Sequence, residues 1–86
     1  MSHDGYDMLA EDWSSGPKTL EKCALKLCEE AGEVAREVKK VENGQDREIE
    51  LTDELGDVLS ALLKLGHKRG ISPFAIMTRA LEKRGL

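Results

Sequence analysis

No apolar run in this sequence exceeds three or four residues. A membrane span needs about 20 apolar residues and a signal-peptide core about 7–15, so neither is expected. Cysteine is scarce as well. Cys23 and Cys28 are the only two, too few for a disulfide scaffold. In a helix their five-residue spacing sets them about 140° apart around the axis, where they cannot pair with each other. They read as small buried hydrophobes in a chain of the reducing cytoplasm. Aromatics make up 3% of the residues, one each of Tyr6, Trp13 and Phe74. No segment alternates apolar and polar residues long enough for a strand. The two histidines, His3 and His67, have no acid or cysteine at metal-ligand spacing and read as surface residues.

What is present is charge and regularly spaced aliphatic residue. Of 86 residues 40% are hydrophobic and 35% charged, with a net charge of −4. That is too apolar and too periodic for a disordered chain, and long enough for a single domain over residues 1–86 with one core. The charge is unevenly spread. Residues 29–57 hold eleven acids and four bases, whereas residues 58–86 hold one acid and six bases. An acidic middle and a basic end do not make a uniform nucleic-acid surface. They suit a cation site facing a patch that can hold phosphate.

Residues 1–17 carry turn formers and weak periodicity and are expected to be loosely structured, with a short helical turn over 6–13 ended by Ser14-Ser15-Gly16-Pro17. From Lys18 to about Val41, apolar residues recur at three- and four-residue steps, which predicts a helix stopped by Asn43-Gly44. A second helix is predicted from Arg47 or Glu48 to Lys68, with Gly70 ending it. Ser72-Pro73 then supplies an N-cap and a first-turn proline for a third helix through about Lys83. Phe74, Met77, Ala80 and Leu81 share one side of that helix, so Phe74 reads as core. The fold class is all-α: an antiparallel helical hairpin plus a short C-terminal helix. Two half-covered apolar stripes and one short helix leave the core incomplete. A homodimer or a homotetramer (a dimer of dimers) would complete a four-helix bundle.

The acids carry the chemistry. Taking about 100° per residue, Glu30 and Glu54 each fall at one edge of their helix's apolar stripe, and Glu33 and Asp57 each fall further to the same side. Residues at i and i+3 have Cβ atoms about 5–6 Å apart, so each pair can share a hard cation. If the hairpin brings the pairs together, four carboxylates surround one volume. At 4 Å and an effective dielectric of 20, two such charges repel by about 4 kcal/mol, and a divalent ion would relieve this. Mg²⁺ suits an all-oxygen site and keeps places for water and phosphate, with Mn²⁺ a substitute.

ALKLCEEAGEVAREV (residues 24–38), followed by LTDELGDVLSALLKL (residues 51–65), resembles the E-x-x-E…E-x-x-D signature of the MazG-like all-α nucleoside triphosphate pyrophosphohydrolases. Glu30 and Glu33 match its first half, and Glu54 and Asp57 its second. The resemblance covers roughly residues 13–83. It implies that these four acids hold Mg²⁺ and that a (deoxy)nucleoside triphosphate is hydrolysed to the monophosphate and pyrophosphate by water attacking the α-phosphorus. Glu29 and Glu33 are the candidates for the base that takes the water's proton.

Further contacts follow from the same resemblance. Trp13 matches an N-terminal aromatic that stacks on the base in some relatives. Lys83 matches the spacing of a phosphate-binding lysine, with Arg79 or Arg84 in place of an arginine that relatives carry one turn further on. Ala61 stands where some deoxycytidine-preferring relatives have a tyrosine. Two other readings fit parts of the pattern. One is phosphoribosyl-ATP pyrophosphohydrolase of histidine synthesis, whose second motif differs from Glu54-Leu55-Gly56-Asp57. The other is a non-catalytic helical dimerisation module whose acids form a solvated face.

Overall fold

A computed structural model describes residues 19–86. Three helices follow one another, α1 over Leu20–Glu42, α2 over Glu48–Lys68 and α3 over Pro73–Lys83, and no strand occurs among the described residues. Trp13 and the helical turn expected over 6–13 lie outside them.

The ends follow local chemistry. Thr19 caps α1 by accepting from the Lys22 amide at 3.1 Å, and Lys39 and Lys40 stand in its last turn, where the helix dipole favours cations. Gly44 then takes φ +87°, a left-handed conformation that costs glycine little. Ser72 caps α3 by accepting from the Ala75 amide, with Pro73 in its first turn. The N-cap of α2 is Arg47, whose side chain caps nothing. Its guanidinium reaches back to α1 and donates to both oxygens of Glu37, at 3.0 and 3.1 Å.

That clamp starts the register of the hairpin. Glu37 meets Arg47, Glu30 meets Glu54 and Asp57, and Lys26 shares a cleft with Ser60 and Lys64. One partner number rises as the other falls, so α1 and α2 run antiparallel. Cys23, Ala61 and Leu63 are the buried apolar side chains among the described residues, Cys23 the most completely. Leu27, Val34, Leu51, Val58 and Leu65 are half-covered between the helices.

α3 docks on α2 where Gly66 has no side chain. A Cβ there would meet the Ile71 carbonyl at 3.0 Å and Ile76 Cδ1 at 3.1 Å. Docking through Ile76 turns Phe74 outward, 81% exposed, with Met77 and Leu81 exposed beside it. Phe74 is therefore not core in this chain, because α3 is short and rests on α2 by the face opposite the expected one. Cys28 likewise departs from expectation. Cys23 is buried, but Cys28 is exposed, since it lies beyond the edge of the face that α1 turns to α2.

Candidate metal centre

The antiparallel register carries Glu30 of α1 over the Glu54–Asp57 turn of α2. One carboxylate oxygen from each of Glu30, Glu54 and Asp57 lies within 4.8 Å of the others. The Glu30 side chain is only 12% exposed, and Glu54 is half-buried. Burial first, then the charges of Asp57, Glu33, Glu30 and Glu37, raise the Glu54 carboxyl above the ordinary glutamate range. Glu33 lies within electrostatic reach of this group, but its own carboxylate turns aside to pair with Arg36. Glu29 is exposed on the outer side of α1, 4.0 Å from the Lys26 ammonium.

The donor set fits a hard divalent cation. Ligand oxygens at about 2.0–2.1 Å from one Mg²⁺ stand about 2.9–4.2 Å apart, a short adjustment from the spacing present. Among the described residues neither a histidine nitrogen nor a cysteine sulfur joins the group, an all-oxygen donor set of the kind hard cations favour. A cation is already drawn to the place, because the Lys26 ammonium sits 2.9 Å from Glu30. Its hydrogen bond to Glu30, then the charges of Glu30 and Glu29, hold Lys26 protonated beyond the usual lysine range. Beside the acids opens a cleft of about 290 Å³ lined by Lys26, Glu30, Asp57, Ser60, Ala61 and Lys64.

These paired acids on two antiparallel helices coincide with a match along the chain: the family model of the MazG nucleotide pyrophosphohydrolase domain covers residues 18–84. The chain belongs to the MazG family. No curated protein and no solved structure matches it. The MazG match spans all three helices, so hairpin, acids and cleft form one family unit.

Of the site bases expected near the C-terminus, two have partners on α3 or at its end. Arg79 pairs with Glu82 at 3.4 Å, one turn along α3, and Arg84 donates to the Ala80 carbonyl at 2.8 Å. Lys83 is exposed. None of the three lines the cleft. Lys26 and Lys64 do, and sequence reasoning passed over both. The signal was there: Lys26 is four residues before Glu30, and Lys64 seven after Asp57, spacings that put each on the same side of its helix as the acid.

Proposed function

We propose that this MazG domain is a divalent-metal-dependent nucleoside triphosphate pyrophosphohydrolase, converting (d)NTP and water to (d)NMP and pyrophosphate. The observation that carries the proposal is the convergence of Glu30, Glu54 and Asp57 beside a cleft of both signs of charge. Magnesium, or manganese in its place, would be held by these three acids, with Glu33 joining them on leaving Arg36. A bound divalent ion supplies neutralisation of phosphate oxygens and acidification of a water.

The chain's own groups supply the rest. Glu30, its side chain 12% exposed and pinned at the helix interface, fixes where a divalent ion would be held. Glu33 is the stronger of the two candidate bases: its charge is felt at Glu54, whereas that of Glu29 is not among the influences there. Deprotonated, it orients a water by hydrogen bonding and accepts its proton as the oxygen attacks the α-phosphorus. The α–β bridging oxygen then leaves with pyrophosphate. Trp13 is the only indole and offers the base a stacking platform worth about 1–3 kcal/mol. Ala61 stands in the cleft wall where some relatives carry a tyrosine, so no base-selecting side chain projects from that position.

The active form is a homo-oligomer. Taking about 100° per residue, Leu20, Ala31 and Val38 of α1 and Leu55 and Leu59 of α2 fall on the side of the hairpin opposite the acids, and all five are exposed. A second copy covering this face completes a four-helix bundle and leaves the acids open to substrate. A location in the cytoplasm, where nucleotide pools lie, suits the activity.

The test is a pyrophosphate-release screen over canonical and modified nucleotides, with phosphoribosyl-ATP in parallel. Release of pyrophosphate rather than orthophosphate, dependent on Mg²⁺ and reduced by orders of magnitude in Glu33→Gln and Glu54→Gln, supports the proposal. Near-normal turnover in either variant sinks the metal site. Turnover confined to phosphoribosyl-ATP assigns the chain to histidine synthesis, and no turnover or metal response at all leaves a dimerisation module.

A further inference from the structure

We propose that Lys26 and Lys64 are the phosphate-binding residues of this site, and that Lys26 exchanges its ion pair with Glu30 for phosphate oxygens when a divalent ion loads. The inference rests on the pyrophosphohydrolase reading and extends it to residues that carry the substrate's charge.

The cleft is the starting point. Its volume of about 290 Å³ falls at the lower limit of small-molecule pockets, about 300–1,000 Å³. It therefore suits the phosphate end of a nucleotide rather than the whole molecule. Six residues line it, and their order is informative. Lys26 and Glu30 come from α1, one turn apart, while Asp57, Ser60, Ala61 and Lys64 come from α2. Each helix thus contributes a carboxylate and a lysine to the same wall. The antiparallel register sets both lysines beyond the acids in the same direction, toward the N-terminus of α1 and the C-terminus of α2. Ser60 lines the same cleft, and its hydroxyl is a further donor.

A polyphosphate chain needs this arrangement. Oxygens near the acids need a metal to bridge them, and oxygens further out need direct cationic donors. In the metal-free chain Lys26 spends its charge on Glu30, at 2.9 Å, and on Glu29, at 4.0 Å. A divalent ion taking over the Glu30 carboxylate frees that ammonium within the cleft it already lines. Arg79, Lys83 and Arg84, by contrast, line no part of it.

The experiment is calorimetric titration of inorganic tripolyphosphate in the presence of Ca²⁺, and of Mn²⁺ alone. The variants are Lys26→Met, Lys64→Met and Lys22→Met, the last removing an exposed lysine of α1 outside the cleft. Loss of one charge-assisted phosphate contact is expected to weaken tripolyphosphate binding about tenfold in each cleft variant. Lys22→Met should match the unchanged chain, and Lys26→Arg should recover most of the loss. With Mn²⁺ alone, Lys26→Met should bind several-fold more tightly, because no ammonium competes for Glu30. Equal tripolyphosphate affinity in all three variants, or an equal loss in Lys22→Met, overturns the proposal while leaving the enzyme reading intact. A wild-type chain that binds neither Mn²⁺ nor tripolyphosphate overturns both.

Discussion

Glu54→Gln separates a metal centre from a solvated acidic face without any activity measurement. The Glu54 carboxyl is raised from 4.5 by burial and by the charges of Asp57, Glu33, Glu30 and Glu37. A carboxyl whose folded value is raised binds its proton more tightly folded than unfolded. The metal-free protein therefore loses stability as pH rises from about 4.5 through the raised value, and keeps that deficit at neutral pH. Glutamine keeps the size and removes the charge. Metal-free Glu54→Gln should then melt above the metal-free wild type at neutral pH, the two converging at acid pH. A divalent ion reverses the order. At a hundred times its dissociation constant it stabilises the folded wild type by about 2.7 kcal/mol. At about 4–8 °C per kcal/mol for a domain of this size, the midpoint rises about 11–22 °C. If the lost ligand weakens the ion about a hundredfold, the same concentration raises the variant by only about 2–3 °C. Thermal melts followed by far-ultraviolet circular dichroism, with Mn²⁺ or with a chelator, read all four midpoints. A metal-free variant melting at or below wild type, with an equal gain from the ion, would refute the reasoning.

Three further outcomes follow from the packing. Gly66→Ala should lose about 1–2 kcal/mol in urea denaturation, since overpacking against Ile71 and Ile76 exceeds the helix-propensity gain, whereas Gly56→Ala, with open space around it, should gain about 0.5–1 kcal/mol. Glu37→Gln should lower the urea midpoint at neutral pH by more than breaking the exposed Arg79–Glu82 pair does. Hydrogen bonding from Arg47 holds Glu37 below the ordinary carboxylate range, so its contribution is present above about pH 4.5 and fades as pH falls through the depressed value. Leu59→Glu, in the middle of the exposed apolar face, should drop the sedimentation mass to that of a single 9.5 kDa chain; a wild type already at that mass removes the bundle proposal.

Helices and their ends were legible in the sequence because they depend on neighbours along the chain. Asn43-Gly44, Gly70 and Ser72-Pro73 act locally, and the structure breaks its helices at each of them. The shared side of the acids was legible for the same reason, being helical periodicity alone. What failed needed the third dimension. Phe74 has core spacing on α3, yet the face that docks is chosen by the absence of a side chain at Gly66, on another helix. Cys28 belongs to the apolar stripe, but that stripe is wider than one partner helix can cover. Glu33 is the α1 counterpart of Asp57 by spacing, yet its carboxylate finds Arg36 one turn away before it finds α2. Lys26 and Lys64 share a helix side with the acids by spacing, but in a charge-rich chain that signal is weak until the shared cleft brings the two together.

Register is the property on which the site depends most, and the acids themselves work against it. Glu30, Glu54 and Asp57 repel one another across the α1–α2 interface, so in the metal-free chain their mutual avoidance favours a slip of one helix along the other. A slip of one turn keeps leucine against leucine but displaces Glu54 by about 5.4 Å, more than the 4.8 Å that encloses the three oxygens. The apolar stripe resists this weakly, because its residues recur at every turn. Glu37 and Arg47 do not recur. Their two hydrogen bonds, at 3.0 and 3.1 Å, join α1 to the first residue before α2, and Lys40, on α1 itself, steadies the Glu37 carboxylate at 3.4 Å. A buried carboxylate, 8% exposed, with a forked partner has one good geometry, whereas a leucine has several. The clamp therefore selects one register among several that hydrophobic packing tolerates, two helical turns from Glu30. A guanidinium has no acceptor and cannot cap α2; at the N-cap position Arg47 instead sets where the carboxylates of the two helices meet.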